Sequence, residues 1–426
     1  MLLCVSVGLV TLMYVGMGLA ASKGTLIMPL DDTYIHFQYA KQMAHGEPLV
    51  YNPGDDATSG STSLIYTPLL AVGYLVGLHG LRLAYWAVGI GALALLITAW
   101  LVYKLVMAVP AQNQRLQRLI AVISMLAVVA NGPLAWAAFS GMETLLFTMS
   151  VMLALDAFVR WTSNTGAIRE LPLRNVMSTA AFVALVRPEG LFVALPLVAV
   201  IAWETWRKKE RISAWFALPV AAVVAQPAIN WLVTGSPSAS GTQVKSHFYN
   251  ETIPFIERIQ TVLEFWWRMW REWIVGRSPV SGWYVPPLIS VLAVMMVIAA
   301  LVISWKRRAI QPALMAGGWM ILLTAADATL DTGFWQFKRY QMPVLAILFP
   351  LAGWALVMLG DQKPTWARPT ALGLAVLVGV LSLPLVPDYA GRYYENIVVT
   401  RDQQVAMAMW VKNHVPEEAR VAVHDV

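Results

Sequence analysis

The chain has little outside its apolar residues. A single cysteine, Cys4, leaves no means of building a disulfide framework or a thiolate metal site, and it does not report a redox compartment. Charged residues make up only 13% of the 426, against 58% hydrophobic, and mean hydropathy is +0.61. No soluble domain buries that much apolar side chain, so a soluble globular class is excluded. No internal repeat is visible, which weighs against an architecture of duplicated halves. The first apolar run, Leu2 to Ala21, has no basic leader and reads as a retained span rather than a cleaved signal peptide. The net charge of +6 and pI near 9.3 come from short basic clusters between apolar runs. Without one continuous basic face, nucleic acid is excluded as a partner and the clusters report membrane orientation.

At about 20 apolar residues per crossing, the runs make about eleven transmembrane helices. The fold class expected is therefore all-α and polytopic, with amphipathic juxtamembrane helices in the outer loops. The basic clusters are Arg115/Arg118, Arg169/Arg174, Arg207 to Arg211, Lys306 to Arg308, and Lys363/Arg368. The positive-inside rule puts all five in the cytoplasm, so an even number of crossings separates each successive pair. Those crossings are Leu119–Ala138 and Leu145–Trp161, Val176–Val186 and Gly190–Trp206, Ser213–Val233 and Pro287–Trp305, and Ala313–Leu330 and Met342–Gly360. Leu2–Ala21 and Leu83–Ala108 precede them and Thr370–Val386 follows. Ser63 to Leu78, short and interrupted by Pro68, Gly73 and Gly77, is assigned to a helix along the outer surface. The Trp-rich stretch in the segment from Pro254 to Gly276 is expected to lie in the headgroup layer. Residues 1–387 would form the membrane domain. Residues 388–426, ending on the strand-like ARVAVHDV, would begin an outer segment cut off where a soluble domain starts.

The crossing count gathers the polar motifs DDTY, SGMET, RPEG, the long loop and FWQFKRY on the outer face of a bacterial-type cytoplasmic membrane. Asp31 and Asp32 precede a helical pattern and can cap it, but two adjacent carboxylates also suit a general base with a supporting partner. His36, one turn after Asp32, suits a surface hydrogen bond or a metal. Glu143 can cap a helix, bind a sugar hydroxyl, or share a divalent cation (Mg, Mn or Ca) with Asp32. Arg187 and Glu189 interrupt VALVRPEGLFVAL. Charge at that depth is tolerated only inside protein or beside a wet cavity, and it reads as an internal pair or a phosphate receptor. Lys245, His247, Arg339 and Tyr340 complete the set, as contacts to a lipid phosphate or sugar or as solvated and snorkelling side chains.

In their order, LDDTYIHFQYAKQMAHGEPLVYNPG, SGSTSLIYTPLL, SGMETLLF, RPEG, the Lys245 loop and KRYQMP resemble the GT-C superfamily of polyprenyl-phosphate-dependent glycosyltransferases. The nearest likeness is to mycobacterial-type arabinofuranosyltransferases and related bacterial proteins. The resemblance implies transfer of a sugar, a pentofuranose in that subtype, from a polyprenyl-phosphate donor to a glycan, lipid or protein hydroxyl with inversion. It implies Asp31 as base, with Asp32 the second candidate, and Glu143 on substrate or metal. The text SASGTQVK departs from the Asn-Thr expected before the loop lysine. The rival reading is a transporter or lipid flippase, which would spread charge through the membrane depth. A membrane scaffold would leave the clustered acids without a role.

Overall fold

A computed structural model describes residues 1–163, 170–278, 282–283, 298, 311–416 and 419. In hydrocarbon every backbone polar group needs an internal partner, and the apolar runs meet that need as helices. In chain order they are α1 (Leu2–Ala21), α2 (Asp32–Ala44), α3 (Tyr66–Leu75), α4 (Leu83–Met107), α5 (Gln114–Val129), α6 (Gly132–Phe139), α7 (Thr144–Ser163) and α8 (Glu170–Val186). They continue as α9 (Leu191–Arg207), α10 (Ala217–Thr234), α11 (Ser240–Lys245), α12 (Phe255–Val275), α13 (Gln311–Asp327), α14 (Met342–Gly360), α15 (Ala367–Ser382), α16 (Leu385–Thr400) and α17 (Ala406–His414). The strand content described is one ribbon of two-residue strands, Arg277–Ser278 against Gly282–Trp283.

This is a multi-pass membrane protein of the all-α class. Seven described helices are long and apolar enough to cross a bilayer alone, or eight with the bent pair α5 and α6. Among the described residues the full-length spans number fewer than the eleven crossings expected. Of the runs named above, Pro287–Trp305 lies outside the described residues apart from position 298; each of the others is helical. The described lengths of α8 and α13 are 17 residues each, about 25 Å at 1.5 Å per residue. The run Leu119–Ala138 is not one straight helix. Asn131 accepts from Leu134 N at 3.1 Å and starts a new helix at Gly132-Pro133, bent by 52° from α5. Arg169, Lys306 to Arg308 and the ARVAVHDV end apart from Ala419 lie outside the described residues.

Helix α4 is central, packed against α1, α5, α6 and α7. Gly91 lets α6 approach it: a Cβ there would lie 1.7 Å from the carbonyl oxygen of Ala138. The boundary expected after residue 387 falls inside α16, whose Tyr389 and Tyr393 are buried. Tyr393 donates to Phe139 O at 3.1 Å and meets Tyr14 edge-on. At one end of the bundle, Asp156 takes Lys104 and Arg160, both at 2.9 Å, and Asp361 accepts from Gln112 N. At the opposite end, α2, α3, α11 and α12 meet the turns after α6, α8 and α13. The short outer-loop helix (α3) and the amphipathic helix (α12) both form where the sequence places them.

Candidate active site

Helix α2 starts at Asp31, whose Oδ1 accepts from Asp32 N at 2.9 Å. Nothing else among the described residues engages that carboxylate, so one oxygen of Asp31 is open. Asp32, in the first turn where the helix dipole favours an anion, pairs with Arg339. Next, Thr33 Oγ1 donates to Ser140 O at 2.9 Å and ties α2 to the turn between α6 and α7. That turn needs Gly141. Its φ is +80°, and a Cβ would meet Thr33 Cγ2 at 2.5 Å and Met28 Sδ at 2.7 Å.

The turn delivers Glu143, only 2% exposed. One of its oxygens lies 3.2 Å from Arg187 Nη1, the other 3.4 Å from His36 Nε2. Arg187 sits in extended backbone before Pro188, where α8 ends. Its Nε and Nη2 donate to both oxygens of Glu189, at 3.2 and 2.9 Å. All three nitrogens of the Arg187 guanidinium thus face a carboxylate oxygen, and the residue acts as a brace. The ring of Tyr340 lies 4.7 Å from the Arg187 guanidinium and 5.1 Å from that of Arg339, and its hydroxyl accepts from Arg339 Nη2 at 3.2 Å.

The charge states follow from these partners. Burial works against ionisation of Asp32, but the charge and hydrogen bond of Arg339 prevail and hold the carboxyl below its ordinary range. Glu143 is likewise lowered, with burial opposed and outweighed by Arg187 and His36. His36 is lowered because burial outweighs the attraction of Glu143 and Asp32, so its imidazole is neutral at neutral pH. His36 is buried, not the surface hydrogen-bonding residue its spacing suggested.

Arg339 is reached through an unusual turn. Gln336, Phe337 and Lys338 have φ of 50°, 58° and 57°, a left-handed run that costs about 1–2 kcal/mol per residue. Packing holds it: the Phe337 ring lies 4.8 Å from Trp136 and 5.3 Å from Tyr389. Arg339 is 5% exposed, and its Nε and Nη1 have no hydrogen-bond acceptor among the described residues. A buried guanidinium with two open nitrogens, which carry three N–H groups, is a receptor for an anion. Lys245 comes within electrostatic range of Asp32 because its loop is docked. Ser240 N donates to Ser59 Oγ at 3.1 Å, and His247 N donates to Thr329 O at 2.9 Å.

The fold therefore assembles Asp31, Asp32, His36, Glu143, Arg187, Glu189, Lys245, Arg339 and Tyr340 at one end. His247 does not join them; its ring packs 4.9 Å from Phe265. Asp327, at the end of α13, was not legible as a site residue. It is 2% exposed, its Oδ2 has no hydrogen-bond partner among the described residues, and it lies in the field of Glu189 and Arg187. An acid at a helix C-terminus, against the dipole, was the available signal. No three described His, Cys, Asp or Glu side chains converge as a metal-binding group. Asp32 and Glu143 each already carry an arginine, so this donor set does not fit a resident divalent cation.

Neither a protein-family model nor a curated protein matches the sequence. Solved structures do. ArnT from Cupriavidus metallidurans, bound to undecaprenyl phosphate, aligns with a TM-score of 0.56 over 98% of this chain and 81% of that one, at 14% identity. The chain has the GT-C fold. Two structures of the Archaeoglobus fulgidus oligosaccharyltransferase share this GT-C architecture. One, in complex with Zn and sulfate, has a TM-score of 0.59 at 14% identity; the other, AglB with an inhibitory peptide and a dolichol-phosphate, has 0.55 at 12%. Each is covered by 97% of this chain, which spans only 56% and 58% of their lengths. At these identities the likeness is one of fold.

Proposed function

We propose that this GT-C chain is a membrane glycosyltransferase that moves a sugar from a polyprenyl-phosphate donor to a cell-envelope hydroxyl at the extracytoplasmic face. One observation carries the reading: the open carboxylate of Asp31 adjoins Asp32, which binds a buried arginine with two unmatched guanidinium nitrogens. A base on the residue next to the one that holds an anion receptor suits a displacement in which one group takes a proton and the other receives the leaving phosphate. The acceptor oxygen attacks the anomeric carbon as Asp31 takes its proton. The bond from that carbon to the phosphate oxygen breaks, and the electron pair leaves with the lipid phosphate. Arg339 and Lys245 receive the added negative charge. Attack opposite the leaving group inverts the anomeric centre.

Asp32 holds Arg339 in place, while Glu143, Glu189 and Arg187 form the braced wall behind it. The bound undecaprenyl phosphate of ArnT and dolichol-phosphate of AglB support a lipid-phosphate donor here. A pentofuranose is the sugar favoured by the motif resemblance. The test is to reconstitute the purified chain in liposomes with radiolabelled polyprenyl-phosphate pentoses and hexoses and a set of envelope glycan, lipid and peptide acceptors. Label is expected in an acceptor from at least one donor, with the opposite anomeric configuration. Retained configuration overturns the single displacement.

A further inference from the structure

The left-handed run before Arg339 is gripped from one side by α12. Lys338 is fully buried and lies 2.7 Å from Glu272, itself 2% exposed. Glu272 also accepts from Arg268 Nε at 2.8 Å, one turn back on the same helix. Beside it, Trp273 Nε1 donates to Gln341 Oε1 at 2.6 Å, and Gln341 Nε2 donates to Gly333 O at 3.0 Å. The Arg268 guanidinium lies 4.2 Å from the ring of Phe334, which meets Phe265 edge-on at 5.3 Å. Residues 333, 334, 338 and 341 are thus all fastened to α12 directly or through one bond, and Arg339 stands between two of the fastened positions.

Left-handed backbone at three non-glycine residues persists only where its surroundings over-determine it. Phe337 supplies one anchor in the core, and the ion pair supplies the other. A buried ion pair is a poor source of stability compared with apolar packing but a good means of fixing register. We infer that Glu272 and Lys338 are positioning residues: their ion pair locks the turn so that the Arg339 guanidinium meets Asp32 and its open N–H groups face the reacting end of the bundle. Neither residue touches substrate in this scheme. The importance of Arg339 to donor phosphate rests on the function proposed above, whereas its placement by the latch does not.

The test reads placement directly. Glu272→Gln and Lys338→Met are each purified as the full chain in detergent and treated with phenylglyoxal, and modification of individual arginines is followed by mass spectrometry. In Lys338→Met the remaining carboxylate keeps Arg268, so no anion is stranded. Arg339 is expected to react about tenfold faster in both variants, while Arg187, braced independently by Glu143 and Glu189, stays within about twofold of its wild-type rate. Unchanged protection of Arg339 overturns the latch. Parallel loss of protection at Arg187 also overturns it, since the pair would then be holding the whole end of the bundle. Because the readout is arginine modification, it tests the latch even in a chain that transfers no sugar. Where transfer is measurable, the same variants should raise KM for the donor more than they lower kcat.

Discussion

Arg187→Met isolates the brace. The substitution preserves much of the side-chain volume but removes the cation shared by Glu143 and Glu189. Glu189, 18% exposed at its side chain, can turn toward water; Glu143, at 3%, cannot. Removing one partner of a buried pair costs about 3–5 kcal/mol, and loss of the contact with Tyr340 adds about 0.5–2 kcal/mol. The variant is therefore expected to lose about 3.5–7 kcal/mol in a reversible unfolding titration in detergent. Adding Glu143→Gln removes the stranded charge, so the double variant should recover most of the first 3–5 kcal/mol, roughly.

The pH dependence supplies the sign. In the wild type the Glu143 carboxyl lies below its ordinary 4.5, so its contribution is complete above that value and is lost as pH falls through the folded value. In Arg187→Met the folded value rises above the unfolded one, and acidification should relieve the penalty. Opposite slopes are expected. A single variant within about 1 kcal/mol of wild type, or a double variant no more stable than the single, refutes the brace.

Other outcomes follow from the same geometry. Arg339→Lys keeps a cation for Asp32 but loses the planar fork, and transfer kinetics should show about a tenfold or greater rise in donor KM. His36 is lowered below 6.5 mainly by burial, so the folded chain binds fewer protons there than the unfolded chain. Stability should fall as pH drops from 6.5 toward the folded value, and His36→Gln should flatten that slope in unfolding midpoints measured between about pH 7 and 5. Asp327→Asn removes a buried carboxylate that has no hydrogen bond at Oδ2, and unfolding titrations should show a gain of about 1–3 kcal/mol.

The two-sided sorting of charge was legible because period and basic clusters fix the parity of crossings, and parity alone brought Asp31, Glu143, Arg187 and Arg339 to one end. Pairing was not legible. Arg187 and Arg339 look alike as phosphate receptors in the sequence, and only the folded chain shows one satisfied by two acids and the other with open donors. His247 read like a site residue because nearness along the chain to Lys245 does not reveal that its ring turns to Phe265. The break at Asn131-Gly132-Pro133 had its cap and proline in plain view, but an apolar run on both sides concealed it. The left-handed turn at Gln336 to Lys338 carries no glycine to announce it. Its causes, Trp136, Glu272 and Tyr389, lie far away in sequence.

In the scheme proposed here Asp31 is the base, and the Asp32–Arg339 pair is the anion receptor, of a glycosyl transfer. A comparison of wild type with Asp31→Asn in one reconstituted preparation, measuring both polyprenyl-phosphate binding and transfer of labelled sugar, bears on that division of roles without intermediate steps. Binding is expected within about twofold of wild type and transfer reduced by at least about a hundredfold, the usual scale for losing a general base. Undiminished transfer by a folded Asp31→Asn chain would contradict the assignment.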